Sequence, residues 1–224
     1  MSARPFLIDA HAHISFNAYK DDAPEVIARA EGEDIWMLAV GSQIDTSRRA
    51  VEYAERYEHI WAVVGLHPIH LIDSHVDPAE VDEEGKEGIA FRTRAEKFDA
   101  AAYRALAAHP KTVAIGECGL DRYRISAGSD AKEMFRVQED VFRQQIRLAQ
   151  ECDLPLMVHV RDAHEDTIAV IGDAYGTWVG AQPRGMIHCY SGTWEQAQHY
   201  LALGFNISFT GVISFRPTKK QLPI

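Results

Sequence analysis

The residues best suited to chemistry stand at the ends of short apolar runs. FLIDAHAHI (6–14) leads from Phe6, Leu7 and Ile8, the kind of run that fills a buried parallel strand, up to His11 and His13. Side chains alternate across a strand, so histidines two residues apart share a face and can share one cation. Later runs end in the same manner. IWAVVGLHP (60–68) reaches His67, TVAIGECGLD (112–121) carries Glu117, LPLMVHVRD (154–162) carries His159 and Arg161, and GMIHCYSG (185–192) carries His188. Imidazole and carboxylate together suit Zn, Mn, Ni or Fe better than Ca.

A carboxylate can bridge two metals, and Glu117 is the acidic member of the set in mid-rim. The ligands then divide as His11, His13 and Glu117 on one ion, with Glu117, His159 and His188 on the other. Two ions about 3.5 to 4 Å apart would share a hydroxide and brace both the attacking and the leaving oxygen of a displacement at phosphorus. Arg161 should face the same way as His159, as a partner for a phosphate oxygen or as a rim arginine in a salt bridge. His67 is read as a substrate contact, with a supporting role behind the ligands as the alternative. Tyr190 and Ser191 line the pocket or, for the tyrosine, pack beneath it. His70 is left open, and His59, His75, His109, His164 and His199 read as surface residues.

The elements that must position these residues alternate along the chain. Strands are expected at 6–14, 35–41, 60–68, 112–121, 154–162, 185–192 and 205–215, with helices at 21–34, 45–59, 98–109, 133–152, 164–175 and from Thr193 to Gly204. Asp45 and Thr46 are N-cap candidates, and Thr193 with Gln196 has capping-box spacing. Phe135, Phe142, Ile146 and Ala149 form one apolar stripe. Residues 71–97, with DEEGKEG at their centre, read as an acid-rich surface excursion. Repeated βα units imply a parallel α/β sheet; closed into a barrel, it gathers the strand ends on one rim. Seven strands are visible and no eighth.

The 224 residues, 46% of them hydrophobic, suffice for one domain with a sizeable core. No run is long and apolar enough for a membrane span, and MSARPF lacks the apolar stretch of a signal peptide, so a cytoplasmic location is expected. Cys118, Cys152 and Cys189 have neither disulfide nor zinc-ribbon spacing and read as apolar fillers. The net charge of -10 argues against an extended nucleic-acid surface, though a compact cation site can still accept a phosphodiester.

Taken together, DAHAH (9–13), GLHP (65–68), IGECGLD (115–121), VHVRDA (158–163) and IHCYSG (187–192) resemble, in order, the motifs of the TatD-related metal-dependent deoxyribonucleases of the amidohydrolase superfamily. The resemblance runs from about residue 6 to about residue 216. It implies a TIM-barrel-like fold and a divalent-metal hydrolase that removes nucleotides from DNA ends. His11, His13, Glu117, His159 and His188 match the family's metal ligands, Glu117 being the residue on which catalysis turns, with two divalent ions (Mg, Mn or Zn) as cofactors. The family pattern continues into an eighth strand bearing an aspartate that this chain does not reach. A shortened domain, open strand edges and weakened catalysis are therefore expected. The competing expectations are an amidohydrolase-type enzyme acting on a small-molecule C–N or ester bond, and a non-catalytic metal-binding relative.

Overall fold

A computed structural model of the chain describes residues 4–72, 75–76, 91–93, 95–125, 130–176 and 183–214. Strand and helix alternate through it: β1 Leu7–Ala12, α1 Ala23–Gly32, β2 Ile35–Val40, α2 Ile44–Arg56 and β3 Ile60–Val64 come first. A two-stranded antiparallel pair, β4 His75–Val76 and β5 Phe91–Arg92, interrupts the pattern. Then follow α3 Ala100–Ala107, β6 Thr112–Asp121, α4 Ala131–Cys152, β7 Leu156–Arg161, α5 His164–Tyr175, β8 Gly185–Ile187, α6 Trp194–Ala202 and β9 Phe205–Ile207.

The seven longer-range strands form one sheet in the order β1-β2-β3-β6-β7-β8-β9, every neighbouring pair parallel. This is the expected α/β architecture, a TIM-barrel-like sheet curled as part of a barrel. Its outer face meets the helices in the main core, where the predicted stripe Phe135, Phe142, Ile146 and Ala149 of α4 is buried. Its inner face holds a second, smaller cluster of Val40, Val63, Ala114 and Met157. The central strands thus bury both faces, which explains their near-continuous apolar sequence.

Four expectations need correction. Phe6, Leu7 and Ile8 are not buried but exposed, because β1 has β2 on one side and no strand on the other among the described residues. The sixth strand stops at Ile187: Cys189 takes a left-handed φ of 48° and turns the chain. The seventh pairs with β8 over Phe205–Ile207 only, and Gly211–Ser214 is a 3-10 turn. Gln43, not Asp45 or Thr46, caps α2; Thr46 completes a capping box from the N3 position. Thr193 and Gln196 do form the expected capping box of α6. The DEEGKEG run lies outside the described residues.

Two register irregularities matter for the rim. One falls in β1 between Asp9 and Ala12, the other in β6 between Ile115 and Cys118. An extra residue in a strand bends it and re-aims a side chain, and these two bracket His11 and Glu117. Close packing fixes the second. A Cβ on Gly119, whose φ is +139°, would stand 2.0 Å from the carbonyl oxygen of His159. Gly119→Ala is expected to lower the unfolding free energy by about 1–3 kcal/mol, read from the urea midpoint; an unchanged midpoint would show that β6 and β7 can separate at no cost.

Candidate metal centre

His11, Glu117 and His159 lie in strands β1, β6 and β7, and His13 and His188 directly follow β1 and β8. Glu117 is buried, 4% exposed, on β6. Its Oε2 lies 3.3 Å from His11 Nε2 and 3.7 Å from His13 Nε2, while Oε1 lies 3.2 Å from His159 Nδ1 and 3.7 Å from His67 Nε2. One oxygen therefore serves each pair of imidazoles. His11, His13 and Glu117 present ligand atoms within 4.8 Å of one another, and so do His67, Glu117 and His159. His188, expected with His159, stacks on His11, ring centroids 3.4 Å apart and the ring planes nearly parallel. It remains close enough for Glu117 and His159 to act on its charge.

Hydrogen bonds around the rings decide which nitrogens are open. His13 Nδ1 lies 3.1 Å from the Val40 carbonyl, which can only accept, so Nδ1 carries the proton and Nε2 keeps its lone pair. That lone pair lies 3.2 Å from His11 Nε2. Two imidazole nitrogens and a carboxylate oxygen converge there, a donor set that a divalent cation completes. His159 has Nε2 3.2 Å from Asp121 Oδ2, leaving Nδ1 toward Glu117. Histidine ligands commonly give their far nitrogen to a carboxylate in this way. His67 is different. Its Nδ1 accepts from the Ile69 amide at 3.0 Å, so in the neutral ring Nε2 bears the hydrogen and is a donor rather than a ligand.

Charge in the cluster follows from this packing. Burial alone would raise the Glu117 carboxyl, but the imidazoles, His67 foremost, outweigh it and hold the group well below the usual carboxylate range. Burial and the neighbouring His159 keep His67 well below its ordinary value. Burial, with His11 next, lowers His188 to about 3, and burial lowers His13. Burial also opposes the charge on His159, yet Asp121 and Glu117 carry that ring up to about 9. An ionised carboxylate among largely neutral imidazoles is a metal-ready state.

Asp121, 2% exposed, was not singled out from the sequence. The signal was present: positions 117, 119 and 121 share one face of a strand. Its backbone is gripped at both ends by Gln138, which donates to the Asp121 carbonyl and accepts from its amide at 3.1 and 2.9 Å. Gln145, two turns further along α4, grips Leu66 identically at 2.9 and 2.8 Å, one residue before His67. Two polar residues on an otherwise apolar stripe were the readable sign of these clamps. His70 belongs to the same support: it is buried, with Nε2 3.1 Å from Ser42 Oγ, and Ser42 accepts from the His67 amide through its carbonyl at 2.9 Å.

Other candidates go elsewhere. Tyr190 is buried against His164, Tyr200 and Phe209, and its hydroxyl donates to the Thr193 carbonyl, so its surroundings are those of the packing alternative. Ser191 is exposed. His164, expected at the surface, is 8% exposed beneath that tyrosine pair, and burial lowers its pKa to about 4. His199 is exposed, His59 and His109 half-buried. Cys118 is fully buried, which pushes its thiol up.

A buried glutamate shared by histidines on the rim of a parallel α/β barrel sheet defines the metal-dependent hydrolase class of site. The chain matches the model of the family described as TatD related DNase over residues 8–222, and it belongs to that family. It is 36% identical over 215 residues to the uncharacterized metal-dependent hydrolase YabD of Bacillus subtilis, covering 96% of this chain and 72% of that one. It is 33% identical over 206 residues to the 3'-5' ssDNA/RNA exonuclease TatD of Cronobacter sakazakii, covering 92% of this chain and 66% of the relative. The chain thus spans about two thirds of that exonuclease. The crystal structure of YJJV, a TatD homolog from Escherichia coli, shares the fold with a TM-score of 0.67 at 23% identity, over 93% of this chain and 70% of that one. Among the described residues no helix is long and apolar enough to cross a membrane.

Two outcomes are expected of the centre. Removing the Asp121 carboxylate (Asp121→Ala) should weaken divalent-ion binding by about 10–100-fold, measured by calorimetric titration alongside a thermal melt that confirms folding. Because His159 titrates near 9, an ion that takes Nδ1 must displace a proton at neutral pH. Affinity should therefore fall as pH drops, by about tenfold per unit below pH 9, and level off above it; a pH-independent affinity would exclude His159 as a ligand.

Proposed function

We propose that this chain hydrolyses phosphodiester bonds at the ends of DNA or short oligonucleotides. The observation that carries the reading is the division of labour at Glu117, one oxygen toward His11 and His13, the other toward His159 and His67. The exonuclease named among the relatives supports the substrate class.

His11, His13 and Glu117 would hold one divalent ion, and Glu117 with His159 a second, with His188 as the further ring beside them; Mg, Mn and Zn are the candidates. When bound, such ions supply Lewis acidity at phosphorus and a water acidic enough to attack at neutral pH. The protein's own groups do the rest. Glu117 places a negative charge where the cations must lie, and its burial keeps that charge from being screened. Asp121 fixes the tautomer and the orientation of His159. His67 offers its Nε2 hydrogen toward the same space, suited to a phosphate oxygen. Arg161, two residues beyond His159 on β7, is the second candidate for that oxygen. Tyr190 has no part in this reading.

Elemental analysis of the purified protein should find divalent metal, and with Mg or Mn the protein should release mononucleotides from single-stranded DNA. Glu117→Gln keeps the shape but not the charge, and should reduce the rate by about 100-fold or more together with the metal content. Metal retained without release from any oligonucleotide would overturn the nuclease reading and leave a hydrolase of small molecules or a metal-binding protein.

A further inference from the structure

His67 caps a four-residue 3-10 turn, Pro68–Leu71, and a turn that short has few bonds of its own to hold it. Its ties to the rest of the molecule converge on one place, the junction of β2 and α2. The His67 amide donates to the Ser42 carbonyl at 2.9 Å, the His70 amide closes the turn on the His67 carbonyl at 3.0 Å, and the His70 ring meets Ser42 Oγ at 3.1 Å. Ser42 is fixed in its turn by its amide, which donates to Thr46 Oγ1 at 2.9 Å.

A further tie reaches the same junction from far along the chain. Glu96 donates through its amide to the His70 carbonyl at 2.8 Å. Its carboxylate accepts from the Ile44 amide, at 3.1 Å on Oε1 and 3.4 Å on Oε2, and from the Tyr103 hydroxyl at 3.0 Å on Oε1. Ile44 opens α2, where an amide has no partner within the helix, so the carboxylate satisfies a bond that the helix itself cannot. Tyr103 is wholly buried, and burial beside Glu96 pushes its hydroxyl up, so it keeps the hydrogen it donates. Phe98 stacks on the Tyr103 ring, centroids 4.9 Å apart, and holds it in place. One half-buried side chain thus joins the turn after His67 to the start of α2 and to α3.

We propose that Glu96 is a positioning residue for His67: by tying the Pro68–Leu71 turn to the first amide of α2, it keeps the Ile69 amide on His67 Nδ1 and the Nε2 hydrogen directed at the substrate phosphate. The inference rests on the nuclease reading for what that hydrogen does, and goes beyond it in assigning what holds the hydrogen there. Glu96 touches neither substrate nor metal. What the role requires of it is an acceptor, and Oε1 alone takes both donors.

The test uses the full chain with Mg, its histidines labelled with nitrogen-15 for NMR, and single-stranded oligodeoxynucleotides as substrate. In the wild type the His67 signal, identified by its loss in His67→Ala, should show the tautomer with hydrogen on Nε2. Glu96→Ala should mix the two tautomers and lower kcat/KM by about tenfold at unchanged metal content. Glu96→Gln, which keeps an oxygen for both donors, should restore both readouts. In a His67→Ala background Glu96→Ala should cost nothing further, because a residue that acts through His67 then has nothing to act on. Tyr103→Phe removes one donor with little change of shape and should move the tautomer signal in the same direction, which decides the matter even where Glu96→Ala fails to fold. Tautomers that mix in these variants, with no oligonucleotide cleaved by the wild type, would keep the positioning role and remove the nuclease reading. A His67 signal unchanged in the folded variants, or a loss of rate as large without His67 as with it, would overturn the proposal.

Discussion

Glu117 carries its charge while only 4% exposed, and a carboxylate taken out of water costs several kcal/mol unless its surroundings replace the lost hydration. Here the replacement comes from imidazoles, four of them within 3.2 to 3.7 Å of its two oxygens. Imidazoles in that number cannot all be protonated, because they repel one another; His67 and His188 are held neutral by burial and by their neighbours. The site therefore has an excess of lone pairs over protons around a fixed negative charge. A divalent cation would resolve that imbalance.

Such a cluster works only if its members are placed to a fraction of an ångström, and strands alone do not achieve that. The two register shifts aim His11 and Glu117, but bonds outside the regular ladder lock them. The Glu117 amide donates to the Gly41 carbonyl at 2.9 Å and the His67 amide to Ser42 at 2.9 Å, so the end of β2 anchors two later segments at once. From the other side α4 anchors Asp121 and Leu66 through Gln138 and Gln145. One helix thereby fixes the residue that orients His159 and the residue that precedes His67. Glutamine makes a good clamp because its amide presents a donor and an acceptor spaced to satisfy one residue's carbonyl and amide, and at both positions each of those groups is paired.

What the sequence made legible follows from the same physics. Period-two alternation and apolar runs located the strand ends, and hence the positions of His11, His13, Glu117 and His159, because those signals depend on local geometry. The helix α5 was read to the residue, and Thr193 with Gln196 was read correctly as a capping box, since caps are local too. Phe6 to Ile8 misled because an apolar run states what a strand could bury, not whether a neighbour is present to bury it. For Tyr190 the spacing left two roles open, and its packing against His164 and Tyr200 depends on contacts distant in sequence. The hydrogen that makes His67 Nε2 a donor depends on the amide of Ile69, a contact no spacing rule reports.

Metal chemistry and substrate choice are separable in this arrangement. Divalent ions held by the carboxylate and its imidazoles would supply Lewis acidity to any phosphodiester placed there, and nothing in the geometry of these residues distinguishes one nucleic acid from another. Selectivity has to come from groups that reach beyond the phosphate, and in an acidic chain those groups must overcome a repulsive background. A net charge of -10 disfavours long contact with a duplex backbone, whose affinity is a sum over many phosphates. It disfavours a strand end much less, because an end offers few phosphates and the local field is set by whatever lies within a Debye length, about 8–10 Å. Within that distance a matched arginine such as Arg122 contributes little, since Asp166 offsets its charge. The same acidity that excludes a broad nucleic-acid surface is therefore consistent with a narrow one confined to the rim.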